Sequence, residues 1–180
     1  FYITTDYYWL ADEKRGFHRL TNNFDAQEIA NSGPFTNEAF HLSCENDHLF
    51  VSAGRVDGTN WNKTFNWHGI YAYDQNEWMM YNQITIPAME QDIDTVSDIL
   101  SVTPHLSNEN EFFASSYGGG LLHFRDGQLI DRYSYYNSSL QPRIGQNSNV
   151  LVSSSAFDSQ GNLWVSNPYT NSPLSVMTPE

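Results

Sequence analysis

Cationic side chains are scarce in this chain. Eight Lys and Arg face 21 Asp and Glu over 180 residues, a formal net charge of −13. Nucleic-acid binding requires clustered Lys and Arg that displace counterions from phosphates. Eight scattered cations form no such patch, which excludes DNA and RNA as partners, and the same field repels an anionic membrane surface. Cysteine is nearly absent. Cys44 alone closes no intramolecular disulfide, and without a CxxC pair there is no thiolate metal cage. Between Ser43 and Glu45 it reads as a strand residue acting as a small hydrophobe, with an anionic neighbour that disfavours a reactive thiolate. No run approaches the roughly 18 apolar residues of a membrane span. No signal peptide is visible either. Residue 1 is Phe, inside the β-like segment Phe1-Tyr2-Ile3-Thr4-Thr5, which reads as a chain cut from something longer, so missing targeting signals say nothing about location.

What is present in excess is aromatic. Phe, Tyr and Trp make up 15% of the chain while charged residues make up 16%, and the Ala/Glu/Lys/Leu stretches of helix bundles are missing. Aromatic rings fit a pleated, half-buried surface, so the composition points to β structure. A tetrad of aromatic, apolar, small and polar residues recurs, each copy followed by a Gly or Pro and a second apolar strand. The copies are Trp9-Leu10-Ala11-Asp12, Phe50-Val51-Ser52-Ala53, Phe113-Ala114-Ser115-Ser116 and Trp164-Val165-Ser166-Asn167. Self-similarity at roughly 40–50 residues is the signature of β-propeller blades, each a four-stranded antiparallel sheet.

The expectation is therefore an all-β chain, a partial β-propeller with two complete and two incomplete blades. The repeats divide as 1–36, 37–98, 99–148 and 149–180. The third is the clearest. Strands over Ile99–Thr103, Phe112–Ser116, Leu121–Phe124 and Gln128–Tyr133 are punctuated by Gly118-Gly119-Gly120 and by Asp126-Gly127, a two-residue hairpin signal. The first repeat begins at or just before its second strand. The fourth opens with one strand over Val150–Phe157 and stops before its fourth. Such an arc leaves an apolar blade face at each end.

Few residues qualify for chemistry. No HExxH, P-loop or Gly-x-Ser-x-Gly elbow occurs, and no metal or cofactor is implied. His18 and His123 fall at equivalent places on third strands, which suggests a structural role, while His41 and His48 flank one hairpin and could approach each other. Asp92, Asp94 and Asp98 lack the Gly and the terminal Glu of an EF-hand loop and read as a solvated acidic segment. Asp158-x-x-Gly161 reads as an Asx-type turn between strands. The candidate binding surface is the insertion Gly54–His68, with Trp61, Phe65, Trp67 and His68 among three Asn residues. Loops on a rigid scaffold often carry function, and flat rings beside amides suit a sugar or a peptide. The alternative is a loop folded back on its own blade with both Trp rings buried.

The segments Ser115–Leu122, Asn137–Leu140 and Phe157–Asn167, with Gly54-Arg55-Val56 and Gly69–Tyr73 before them, resemble the PorZ-like proteins of Bacteroidetes, which carry two-component-regulator-type propeller repeats. The resemblance covers roughly residues 39–180. It implies a large, exported multi-propeller protein at the cell surface or in the periplasm, a non-catalytic scaffold in type IX secretion. Protein or lipopolysaccharide-type glycan partners and the remaining blades of the same protein would complete it. Homologues with the same repeats are sensor domains of hybrid two-component systems, so a periplasmic ligand sensor is the alternative. The repeat motifs are structural, and no catalytic residue carries over.

Overall fold

A computed structural model describes residues 2–4, 7–12, 16–23, 25–29, 33–45, 47–90 and 96–179. The strands form four antiparallel sheets, in two compact units, 1–33 and 34–180. The first unit is one sheet of β1 (Tyr2–Ile3), β2 (Tyr7–Asp12), β3 (Gly16–Thr21) and β4 (Ala26–Ile29), in sequence order. The first repeat was expected to lack its opening strand. Two residues suffice for it, because Tyr2 and Ile3 pair with Trp9 and Tyr8 across a tight turn closed by Thr4 N–H to the Tyr7 carbonyl. A strand that short carries no readable alternation.

The second unit holds three sheets. β5 (His41–Glu45), β6 (His48–Ser52), β7 (Ile70–Asp74) and β8 (Glu77–Tyr81) form one, with a 3-10 turn at Pro87–Glu90 after it. β9 (Ile99–Pro104), β10 (Glu111–Gly118), β11 (Gly120–Arg125) and β12 (Gln128–Tyr133) form the next. Their turns follow the residue types. Asp126 and Gly127 both have positive φ, 49° and 74°, as a two-residue hairpin of this hand requires. Gly120, at φ 84°, passes so close to the Tyr133 carbonyl that any Cβ would collide with it.

The stretch 150–157 is not one strand. β13 (Val150–Leu151) pairs with Tyr117 and Gly118 at the end of β10, and the chain then turns into β14 (Ser154–Phe157), which with β15 (Leu163–Ser166) and β16 (Leu174–Met177) makes the fourth sheet. The cause is the length of β10. Its first part pairs with β9 up to a register shift at Ser115/Ser116, and its last two residues take β13 instead.

The first strands β5, β9 and β14 pack in series, β5 and β14 each against β9, as inner strands of neighbouring blades would. Alternation along β10 builds two cores at once, because successive side chains point to opposite faces. Phe112 and Ala114 face the second sheet. There Phe112 stacks on Phe124 at 4.7 Å and 12° and meets Phe50 and Tyr81 at 4.7 and 5.4 Å. Phe113 faces the fourth sheet, among Leu121, Val152, Leu163 and Val165. The tetrad aromatics Phe50 and Phe113 therefore play one role, each filling the space toward the following sheet. On the face of the fourth sheet opposite Leu163 and Val165, Trp164, Leu174 and Val176 are 41%, 58% and 45% exposed.

Phe112→Ala should cost about 3–5 kcal/mol, the range for deleting a fully packed Phe, whereas Trp164→Ala should cost no more than about 2 kcal/mol, because the residue is 41% exposed and its hydrogen bond to Asp158 is at the surface. Urea unfolding of both variants checks the contrast; equal losses would contradict this division of the core.

Candidate functional site

The insertion leaves β6 at Ser52 and enters β7 at Ile70. Gly54 starts it. Its N–H donates to the Ile99 carbonyl at 2.9 Å, and a Cβ there would fall on the Ile99 backbone, so only glycine lets the loop cross the next sheet this closely. Asp57 then turns the chain. Its Oδ1 accepts from Thr59 N–H at 2.7 Å, its carbonyl accepts from Trp61 N–H at 2.8 Å, and its own N–H donates to the Asn62 carbonyl at 2.9 Å. A bridge between Val56 and Lys63 closes the excursion, with Trp61 at its tip.

The return limb is held by Asp98. Its Oδ2 accepts from the N–H groups of Thr64 and Phe65 at 3.0 and 2.9 Å, and its Oδ1 accepts from the Thr64 hydroxyl at 2.6 Å and from Asn66 N–H at 3.1 Å. Its own N–H donates to the Asn66 carbonyl at 2.7 Å, and its carbonyl accepts from Tyr117 N–H at 3.0 Å. Three consecutive backbone donors converging on one anion make a nest of the kind that binds phosphates, occupied by the protein's own carboxylate. Asp98 is fully buried. The solvated acidic segment anticipated around it is thus corrected for this residue; Asp92 and Asp94 lie outside the described residues. A buried carboxylate is tolerated only when its lone pairs are filled, and here four donors fill them.

The backbone so fixed turns its aromatic side chains outward. Trp61, Phe65 and Trp67 are 59%, 57% and 48% exposed, and His68 is exposed too, so the loop does not fold back to bury its Trp rings. Trp61 and Phe65 have φ of 54° and 57°, a region that bulky residues rarely occupy. Phe65 and Trp67 lie 6.5 Å apart with planes at 45°, and the Lys63 ammonium sits 5.7 Å from the Phe65 ring. Phe65, Trp67 and His68 line one open cleft of about 350 Å³ together with Arg55, Glu38 and Ile84. Trp61 stands apart from that cleft, its carbonyl held at 3.1 Å by the Tyr117 hydroxyl.

His41 and His48 do not meet. They pair with Ser52 and Glu45, at opposite ends of one hairpin, and His48 instead lies 3.7 Å from Asp74. Cys44 is on a strand but exposed, not packed as a small hydrophobe. Asp158 forms the anticipated Asx turn. Its Oδ1 accepts from Gln160 and Asn162 N–H, both at 2.9 Å, and its Oδ2 from Trp164 Nε1–H at 2.8 Å. Among the described residues, no group of three His, Cys, Asp or Glu could hold a metal ion.

A second polar cluster went unread in the sequence. Glu111 on β10 accepts from His123 Nε2 at 2.6 Å, from Arg125 at 3.0 and 3.2 Å, and from Asn108 at 2.8 Å. His123 also stacks on Phe113 at 4.4 Å. Glu111, His123 and Arg125 lie on neighbouring positions of β10 and β11, and Asn108 in the turn from β9 into β10, so the signal was the register of β10 on β11, which sequence alone does not give. His123 thus does have a structural role. Burial alone would raise the Glu111 pKa; the hydrogen bonds from Arg125 and His123, and their charge, outweigh it and hold the carboxyl at about 2.

No family model and no curated protein sequence matches the chain. Solved structures do match, among them these two. PorZ of Porphyromonas gingivalis, an essential surface component of the type IX secretion system, superposes with a TM-score of 0.72 at 22% identity, over 97% of this chain and 23% of its own. The extracellular domain of a hybrid two-component system of B. thetaiotaomicron gives 0.53 at 16% identity, over 97% and 21%. The chain shares their fold. It spans under a quarter of the length of either.

Two outcomes follow from the geometry. Asp98→Asn puts an amide N–H against the converging donors and should destabilise the chain by roughly 2–4 kcal/mol in urea unfolding; an unchanged midpoint would contradict the clamp. Glu111 has its pKa lowered in the folded state from an ordinary 4.5 to about 2. Its stabilising contribution is whole above pH 4.5 and is lost as pH falls toward 2, because the unfolded chain takes up the proton first. Glu111→Gln should therefore flatten the acid limb of stability between those values, read as Tm against pH; an unchanged slope would count against the ion cluster.

Proposed function

We propose that the chain is part of a non-catalytic β-propeller scaffold of an exported PorZ-like protein. It would take protein or lipopolysaccharide-type glycan partners at the cell surface, in type IX secretion and surface attachment. The observation that carries this is the aromatic loop: rings of Trp61, Phe65 and Trp67 turned to solvent on a backbone locked by a buried carboxylate. Rigid exposure of large apolar rings costs solvation and strain without serving the core, and strain of this sort gathers at binding sites. The similarity in fold to PorZ supports the secretion setting.

The similarity to a two-component extracellular domain supports a second reading, in which the same loop receives the ligand of a periplasmic sensor. A membrane helix and kinase domain encoded downstream in the same gene would favour that reading and sink the first.

The double variant Trp61→Ala, Trp67→Ala should weaken binding to purified lipopolysaccharide or to a protein partner at least about tenfold, with Tm within about 2 °C of the parent. A large fall in Tm would show that the rings serve the core.

A further inference from the structure

Among the described residues, eight non-glycine positions have φ in the left-handed region. Asp47, Gln75, Asn76 and Asp126 sit in the short turns of hairpins, where this conformation is ordinary. The other four are Trp61, Phe65, Asp98 and Tyr169. Three belong to the aromatic loop and its clamp. The fourth, Tyr169, lies between β15 and β16, the same connection in the fourth sheet that the aromatic loop makes in the second.

The Tyr169 loop also has a buried polar pin, one that belongs to the loop itself and binds neighbouring segments. Its fully buried pin is Asn167, whose Nδ2 donates to the carbonyls of Leu151 and Gln141 at 2.9 and 3.2 Å and whose Oδ1 accepts from Gln141 N–H at 2.7 Å. Ile144 N–H donates to the Tyr169 carbonyl at 2.9 Å, and the Arg143 guanidinium lies 5.0 Å over the ring. Tyr169 is 44% exposed and Ile144 is 65% exposed. The link between the two loops is Tyr117, a buried residue at the end of β10. Its hydroxyl donates to the Trp61 carbonyl, and its ring packs with Val56 of the aromatic loop and with Leu151, whose carbonyl accepts from Asn167 of the Tyr169 loop. Burial first, then the neighbouring Tyr169, against the pull of Arg143, pushes the Tyr117 phenol up to about 12, so it remains a donor.

We infer that the two loops form one recognition surface joined through Tyr117, with Trp61, Trp67 and Tyr169 as its anchors, and that its ligand is an apolar polypeptide segment spanning both. This rests on the reading of the aromatic loop as a binding surface, and it chooses between the partner classes left open there. Three observations favour a polypeptide over a glycan. The side-chain oxygens of Asn66 and Asn82 in the cleft are taken by backbone N–H groups of His68, Ile84 and Thr85, so they are not offered to sugar hydroxyls. Ile84, in the cleft with Phe65 and Trp67, and Ile144, bonded to the Tyr169 backbone, are 79% and 65% exposed; aliphatic side chains match apolar side chains, not hydroxyls. Phe65 and Trp67 are tilted at 45°, knobs rather than one flat platform. Trp, Tyr and Arg together are the residues on which protein interfaces concentrate their energy. Arg55, Lys63 and Arg143 stand beside the rings, so the apolar groups rather than the charge of the whole chain set the character of the ligand.

The test uses a displayed library of random twelve-residue peptides selected on the whole chain, with affinities of the selected peptides then measured on variants. Trp61→Gly and Tyr169→Gly remove a ring while keeping a residue at ease with positive φ, and each should weaken the same peptide at least about tenfold. Tyr117→Phe, which removes only the linking hydroxyl, should weaken it about threefold with Tm lowered by no more than about 4 °C. Trp164→Ala, on the face of the fourth sheet opposite Leu163 and Val165, should change nothing. Peptides that need Trp61 but ignore both Tyr169→Gly and Tyr117→Phe would overturn the joint surface and leave the aromatic loop as a binding site. Peptides indifferent to all three would overturn both. Defined oligosaccharides that bind through Trp61 and Tyr169, with no peptide enriched, would overturn the polypeptide ligand.

Discussion

One buried carboxylate organises the end of the second unit that carries the aromatic loop. Asp98 receives three consecutive backbone N–H groups and a hydroxyl from a loop more than 30 residues earlier in the chain. Removing a charge from water is expensive, and the cost is offset only because every lone pair is met. The same geometry leaves Phe65 no freedom to relax out of its left-handed backbone. A loop of 15 residues would otherwise sample many conformations, and ordering it would cost entropy at the moment of binding. Here the fold meets that cost in advance, which is what a preformed site requires.

The clamp works because its neighbours are stiff. Asp98 immediately precedes β9, and β9 lies between the inner strands of its two neighbouring sheets, so the carboxylate is anchored to the most enclosed part of the unit. Phe112 and Phe113, adjacent on β10, fill the spaces on either side of the third sheet. Glu111, the next residue along, ties β10 to β11 through His123 and Arg125. Apolar packing thus fixes the spacing of the sheets, and ionic contacts fix one edge of the register, while the opposite end of β10 carries Tyr117 to the surface loops. Function, on this account, sits at one end of a strand whose other end is locked.

Strands were legible where local signals agree. β9 to β12 follow from apolar alternation, the glycine run and the Asp126-Gly127 turn, all short-range features. The Gly54–His68 insertion was visible as an aromatic interruption of the repeat. Its exposure was not, because a Trp in a loop is compatible with either burial or display. Asp98 was misread for a related reason. In sequence it ends an acidic run, and only contact with residues 64–66 distinguishes a clamp from a solvated carboxylate. The division of 150–157 between two sheets, the two-residue β1 and the Glu111 cluster also depend on register across strands, which no single segment encodes. Tyr169 offered no sequence signal at all; its left-handed backbone shows only in three dimensions.

The most direct test of the central claim is amide hydrogen exchange of the unaltered chain at Thr64, Phe65 and Asn66. If Asp98 holds them, these loop amides exchange as slowly as those of β9, through the opening that unfolds the sheet. Exchange at the rate of an open loop, with β9 still protected, would contradict the account.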